Sequence, residues 1–423
     1  MRRPRSALLA VVVLLILGGP GCSGAGLEDR PGAGPAAPQV PAPPPAAVSG
    51  PSASAGSPEL EAEVAAEGEA RAEGSEAAPT RARPTEDLEI TFAGDVIFGR
   101  FREAGYDPIP GPDDHPFAEI KEALQADLVL ANLETPLARS LPTDSPIGAT
   151  FRFGAKAEDV RHLVDAGITA VSLANNHAFD LRADGMRESP AILKEHGIVP
   201  LGASREEAPL FRVEVLEAKG WRIGVIAATT RRNAPEFAGT PRLPFAAARE
   251  LPILLGPLIQ GARGGDDPVD AVIVFVHWGD EYADAPASIQ QTAARKLIDQ
   301  GALAVIGHHP HVLQGIERRG HGIIAYSLGN FLFENTHEIP RLTGVLRLRL
   351  HAGDGCLAGA RFHPAYIKRS PSPHPVPAVK GMGKTVRGRM MTLSKELGAE
   401  LGVDGEDLTL GEFGCPVGGA SEG

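Results

Sequence analysis

From Leu88 onward the chain alternates short apolar runs with amphipathic helical patterns, and this alternation restricts it to a layered α/β fold. The runs cover residues 88–94, 126–132, 168–175, 221–229, 270–276, 302–307 and 322–329. Segments 117–125, 157–167, 185–197 and 288–301 lie between or beside them and carry apolar residues at helical spacing. Residues 343–367 read as a terminal hairpin with a Gly-Asp-Gly turn. Strand–helix alternation with hairpins at the flanks predicts a sheet with a partly parallel core.

The residues that follow these runs point to chemistry. The first run is followed by Asp95 and the second by Glu134. The third ends in Asn175, Asn176 and His177, with Asp180 close behind. His277 closes the 270–276 run and precedes Trp278, Asp280, Glu281 and Tyr282, while 302–307 leads into His308, His309 and His311. Ser327, Gly329 and Asn330 end the last run. Ligands of α/β sheets bind beyond the carboxyl ends of the strands. A single histidine there is most simply a satisfied structural residue. Five of the chain's 13 histidines gathered at such ends, with Asp, Glu and Asn, instead point to a divalent metal held by mixed nitrogen and oxygen ligands.

The segments AGDVIFGR (93–100), ANLETPL (131–137), LANNHAFD (173–180), VHWGDEY (276–282), GHHPHVLQGIE (307–317) and YSLGNFLF (326–333) resemble, in this order, those of the bacterial capsule-synthesis (CapA-type) family associated with poly-γ-glutamate. That family is related to the calcineurin-like metallophosphatases. The resemblance implies a metallophosphatase-like four-layer αββα sandwich with its site at one sheet edge. It makes Asp95, Glu134, Asn176, His277, His309 and His311 metal ligands, and His177 and Asp95 catalytic. The metal would be zinc, manganese or iron. True phosphatases carry Asp-x-His in the first segment, and here Ile97 replaces that histidine. His308 is the expected substitute, Glu281 is the other candidate, and binding of a single metal is the third possibility. Asp180, Glu281, His308 and Asn330 are expected to support the ligands from behind.

Two function classes remain open on these residues. One is a metal-dependent hydrolase or transferase acting on an anionic surface polymer such as poly-γ-glutamate, or on a phosphoester. The other is a non-catalytic polymer-assembly or binding protein that keeps a vestigial site. An anionic substrate calls for cationic contacts, and Arg100 and Arg152 are the candidates, with Arg231 and Arg232 further along. Trp278 and Tyr282 are placed to wall a cleft. For each of these the plainer reading is an ordinary surface or packing residue.

The N-terminus reads as an export signal. Arg2, Arg3 and Arg5 precede an apolar run, Ala7–Leu17, that is shorter than the roughly 20 residues a membrane-spanning helix needs. Small residues and Cys22 follow, which resembles a bacterial lipoprotein signal over 1–22 with lipidation at Cys22. Residues 23–86 are rich in Pro, Ala, Gly and later Glu, and hold no aromatic residue, so they are expected to form a disordered tether. The folded domain is expected over 87–370 and a C-terminal tail over 371–423. The expected location is the cell envelope, lipid-anchored to a bacterial membrane, with capsule-synthesis machinery as a partner. A net charge of −12 argues against nucleic acid. With Cys22 assigned, Cys356 and Cys415 remain as a possible pair in an exported protein.

Overall fold

The computed structural model describes residues 81–413, apart from 83, 112, 144–150, 208, 234–241 and 412. These residues belong to the compact unit Ala78–Gly423. The export signal, Cys22, the tether through residue 80 and Cys415 lie outside the described residues.

Two sheets face each other. In the ten-stranded sheet the strand Leu88–Val96 is central. On one side it is followed by the parallel strands Leu128–Leu133, Ala170–Ser172 and Val199–Leu201. Parallel neighbours need long crossovers, and the helices Lys121–Leu124, Val160–Ala166 and Arg182–Glu195 lie within those connections. On its other side Leu88–Val96 pairs antiparallel with Leu342–Leu350, which forms the expected hairpin with Leu357–Lys368. The six-stranded sheet runs Ile316–Arg319, Gly322–Ala325, Ala304–His308, Ala271–His277, Trp221–Thr229 and Glu214–Ala218, with its four middle strands parallel.

Alternation along the strands builds the layers. Leu128 and Leu130 join Ile223, Val225 and Phe275 in the core between the sheets, where Phe92 and Phe275 lie 6.3 Å apart by ring centroids. Val129, Ala131 and Leu133 point outward against Leu124, Leu163 and Ile192 of the helices. On the other sheet, Ile226 and Ala228 meet Leu251, Leu255 and Leu297. The result is the expected four-layer αββα sandwich. Each fully buried Leu, Ile or Phe contributes about 1.5–3 kcal/mol.

Two helices carry no clear sequence signal. Leu251–Gly264 contains Pro252 and Pro257, and Lys380–Glu396 contains Gly381, Gly383 and Gly388. Tertiary burial overrides these breakers: Val386 and Met390 fill the core between the sheets. The boundary at residue 370 is therefore corrected. His374–Pro377 and Asp407–Leu410 both pair with Leu357–Lys368, so the sheet extends to Leu410. The segment 117–125 is also shorter as a helix than its pattern suggests, with only Lys121–Leu124 helical.

The run 322–329 divides. Gly322–Ala325 stays in the six-stranded sheet, and Asn330–Leu332 crosses to pair in parallel with the end of Leu88–Val96. Two glycines make this crossing. Gly329 has φ +66°, and a Cβ on Gly94 would sit 2.1 Å from the Gly329 carbonyl oxygen. The Asp95 amide donates to that same oxygen at 2.9 Å. Among the described residues no helix is long and apolar enough to cross a membrane. Cys356 is disulfide-bonded.

Candidate metal centre

The crossing brings the carboxyl ends of strands from both sheets to one place. Asp95 and Glu134 come from the ten-stranded sheet, and His277, His309 and His311 from the six-stranded one. All five are buried. The His277 Nε2 lies 2.7 Å from Asn176 Oδ1, 3.1 Å from His309 Nδ1 and 3.5 Å from Glu134 Oε1. The His311 Nδ1 lies 3.4 Å from Asp95 Oδ2, and its Nε2 lies 3.9 Å from Glu134 Oε1. Ligand atoms of Glu134, His277 and His309 fall within 4.8 Å of one another, as do those of Asp95, Glu134 and His311, and those of Glu281, His309 and His311. The three groups share members, so the set forms one continuous donor cluster. The six residues expected as ligands thus converge.

Glu134 tests whether these residues fit a cation. Its carboxylate is fully buried, and neither oxygen has a hydrogen-bond partner among the described residues. A buried carboxylate without partners must be neutralised by a proton or a cation. Burial pushes its carboxyl up to about 8, with the charge of His311 opposing and that of Asp95 adding. Burial also pushes His309 down to about 3 and holds His277 well below 6.5, which leaves both imidazoles neutral and able to donate a lone pair. Asp95 stays below its ordinary 3.8. Burial would raise it, but the hydrogen bond from His311, the charges of His308 and His311, and the bond from Asn132 outweigh burial. His311 differs: burial would lower its pKa, but the charges of Glu134 and Asp95 and the bond to Asp95 raise it to about 9, so a cation binding here takes the place of its proton. An ionised aspartate, the neutral imidazoles of His277 and His309 and a glutamate without a hydrogen bond fit a divalent cation.

Backbone strain sits at the same place. His309 has φ +97° and His311 φ +58°, a region that costs a non-glycine residue of order 1–3 kcal/mol. The His309 amide donates to Asp95 Oδ2 at 3.3 Å, and the Tyr282 amide holds the Pro310 carbonyl at 2.7 Å.

His177 stands beside the cluster, its Nε2 3.9 Å from Glu134 Oε1. Its Nδ1 is 2.7 Å from Asp180 Oδ2. Burial would lower the His177 pKa, but the charge and hydrogen bond of Asp180, with the charge of Glu134, raise it above 6.5. Asp180 is itself fixed, since the Phe153 amide donates to its Oδ2 at 2.7 Å and Arg152 Nε to its carbonyl at 2.6 Å. The Phe153 ring lies 4.1 Å from the imidazole of His177. Asn330 accepts from His311 Nδ1 at 2.9 Å and donates to the His311 carbonyl at 3.2 Å, orienting that imidazole.

Several expectations change. His308 is not the substitute for the ligand absent at Ile97. Its Nε2 is 3.1 Å from the Ala93 carbonyl, and its ring stacks on Phe275 at 4.4 Å. Glu281 is the residue grouped with His309 and His311. Ile97 packs among the helix-side apolar residues. Arg152 is buried with its guanidinium 4.8 Å from the Phe101 ring centroid, so it supports the Asp180 segment rather than facing substrate. Arg100 does line a cleft of about 510 Å³ beside His177 and His311, and there it pairs with Glu334. Arg231 pairs with Asp280, and Arg232 lies over Phe245. Tyr282 lines the cleft, but Trp278 is fully buried and donates to the Tyr326 carbonyl.

Two asparagines escaped sequence reasoning. Asn132 Nδ2 lies 2.8 Å from Asp95 Oδ1 and 3.3 Å from His277 Nδ1, bridging the two sheets. Its signal was present, since Asn132 and Glu134 are spaced by two at the end of an apolar strand and so share a face. Asn233 accepts from Asn176 Nδ2 at 2.9 Å and touches both His177 ring nitrogens at 3.4 Å. It ends the polar run 229–233 at the close of a strand, where nothing in the pattern sets it apart from Arg231 and Arg232.

The model of the family described as bacterial capsule synthesis protein PGA_cap matches residues 89–335. The capsule biosynthesis protein CapA of Bacillus anthracis is 30% identical over 259 residues, which is 61% of this chain and 62% of that protein. The PGA biosynthesis protein CapA of Bacillus subtilis (strain 168) is 29% identical over 279 residues, 65% of this chain and 71% of that one. The match therefore spans less than two thirds of the B. anthracis protein's own length. Among solved structures, a hypothetical protein from Thermus thermophilus aligns at a TM-score of 0.37 and 21% identity, over 69% of this chain and 99% of that one. The sulfate thiohydrolase SoxB of the same species aligns at 0.38 and 12%, over 73% and 60%. The matched span of the family model covers more than half of the chain and encloses every segment that builds the donor cluster, so the chain belongs to the bacterial capsule synthesis protein family.

Proposed function

We propose that this protein is a metal-dependent hydrolase or transferase of the cell envelope that acts on amide bonds of an anionic polymer of the poly-γ-glutamate type. The observation that carries the reading is Glu134, a buried carboxylate with no hydrogen-bond partner among the described residues, set among His277, His309 and His311. The relatives' association with capsule and PGA biosynthesis supports the choice of polymer.

Asp95, Glu134, Asn176, His277, His309 and His311 would hold the metal, with Glu281 at the cleft side. A divalent ion there supplies polarisation of the scissile carbonyl and lowers the pKa of water. The remaining work belongs to the chain's own groups. Asn132 and Asn330 hold His277 and His311 in orientation. His177, with Nδ1 fixed by Asp180, presents Nε2 as the proton donor to the leaving nitrogen. In hydrolysis the acyl C–N bond breaks, a C–O bond to water forms, the amine leaves with that proton, and the proton lost by the water restores His177. In transfer an acceptor amine takes the place of water.

The N-terminal residues support export. Lipidation at Cys22 would anchor the domain to a bacterial membrane, with a spacer ending before Arg81 and Glu86, which bond to Asp270 and Trp221 of the domain, and capsule-synthesis machinery would be the partner.

The test is to measure metal content and polymer chain length together on the purified full chain. Bound metal and shortening or transfer of poly-γ-glutamate, both lost in Glu134→Gln, are expected. Polymer processing that persists without metal would overturn the reading. Hydrolysis of a phosphodiester in place of the polymer would redirect it to phosphoester chemistry.

A further inference from the structure

We propose that Arg100 and Arg102 form a carboxylate-binding subsite of the cleft, and that Glu334 is its internal occupant, displaced by a carboxylate of the substrate. The inference rests on the polymer reading above and specifies how its side chains are held.

Arg100 and Arg102 lie two residues apart on the strand Gly99–Arg102, so both side chains project from the same face. Both guanidinium groups converge on one carboxylate. Arg100 Nη2 contacts Glu334 Oε2, while Arg102 Nη2 lies 3.0 Å from Oε1 and 2.8 Å from Oε2. Asp107, which faces Arg100 across the hairpin, contacts Arg102 and stands 3.9 Å from Arg100 Nε. That Arg100 nitrogen is buried and has no hydrogen-bond partner among the described residues. The cluster thus holds two cations and two anions with donor capacity left over.

Its place in the fold ties it to the reacting centre. Arg100 and Glu334 line the same cleft as His177 and His311. The Arg100 backbone bridges to Phe153, the residue whose ring lies 4.1 Å from His177. A carboxylate bound at Arg100 in place of Glu334 would therefore lie in the same cleft as the proton-donating imidazole.

Glu334 meets the conditions for a displaceable occupant. Its side chain is 34% exposed, and the bonds its carboxylate makes to described residues all go to these two arginines. Replacing one carboxylate by another keeps the charge balance, and the paired guanidinium fork is the geometry that recognises carboxylates. The Arg102–Glu334 pair is exposed, and exposed ion pairs are weak enough to exchange.

The test is the affinity of the purified full chain for a short γ-linked glutamate oligomer, with the same oligomer in its amidated, neutral form as control. Glu334→Gln is expected to tighten binding of the acidic oligomer by about two- to fivefold and to leave the neutral one unchanged. The gain should shrink with added salt and disappear in Glu334→Gln/Arg102→Gln. A merely structural Glu334 predicts the opposite sign, because loosening the cleft wall weakens binding. If wild type binds and Glu334→Gln binds equally or less well, the latch is wrong and the polymer reading stands. Failure of both proteins to bind the acidic oligomer would overturn the polymer reading and the subsite with it.

Discussion

Glu134→Gln isolates the charge that the donor cluster was built around. The substitution keeps the side chain's length and removes its negative charge, while Asp95 and the histidines stay in place. In the wild type, a cation present at a hundred times its dissociation constant stabilises the fold by about 2.7 kcal/mol. At about 2–4 °C per kcal/mol for domains of 150–250 residues, that is a rise in Tm of roughly 5–10 °C, and a larger folded unit falls at the lower end. The assay is thermal unfolding with metal and with chelator. The wild type should show the shift, and Glu134→Gln should show little or none. Protons give an independent readout. Because burial raises the Glu134 carboxyl from 4.5 to about 8, the metal-free folded state binds a proton that the unfolded chain has already released in this window. Its contribution is full below about 4.5 and is lost as pH rises through 8, so the metal-free fold weakens across that range. Metal displaces the same proton, so binding should release acid and strengthen with pH. An equal chelator shift in wild type and Glu134→Gln would refute the central place of this carboxylate.

Three further outcomes are expected. Gly94→Ala places a methyl 2.1 Å from the Gly329 carbonyl oxygen, so it should push the crossing strand off Asp95 and lower both Tm and bound metal. Unchanged metal content would show that the two strands are not coupled. His162 is buried with neither ring nitrogen hydrogen-bonded among the described residues, and burial lowers its pKa from 6.5 to about 4. The unfolded chain therefore gains a proton first as pH falls, and stability drops between about pH 6.5 and 4. His162→Leu should flatten that acid limb in a pH series of denaturation curves, and an unaltered limb would count against it. Cys22→Ser should release the protein from the membrane fraction in the native host. Identical soluble fractionation of both forms would remove the anchor.

Much of this molecule is legible one residue at a time. The apolar runs from Leu88 on specify strands, and parallel strands carry their carboxyl ends to one side. That is why the Asp, Glu, Asn and His residues at those ends were identifiable as one group although they are scattered along the chain, and the family resemblance then singled out Asp95, Glu134, Asn176, His277, His309 and His311. What required tertiary structure was the facing of side chains at those ends. His308 and His309 are neighbours, yet one packs on Phe275 with a bond to Ala93 and the other joins the donors, because the turn places His309 at φ +97°. Arg152 and Arg100 look alike in sequence, but one is buried against Phe101 and the other borders the cleft. Lys380–Glu396 forms a helix despite its glycines because Val386 and Met390 close the space between the sheets. Local pattern determined which elements form and where their polar ends fall. Packing between distant segments decided which of those polar groups turn inward to a ligand, since burial and partner geometry are set only once both sheets are in place.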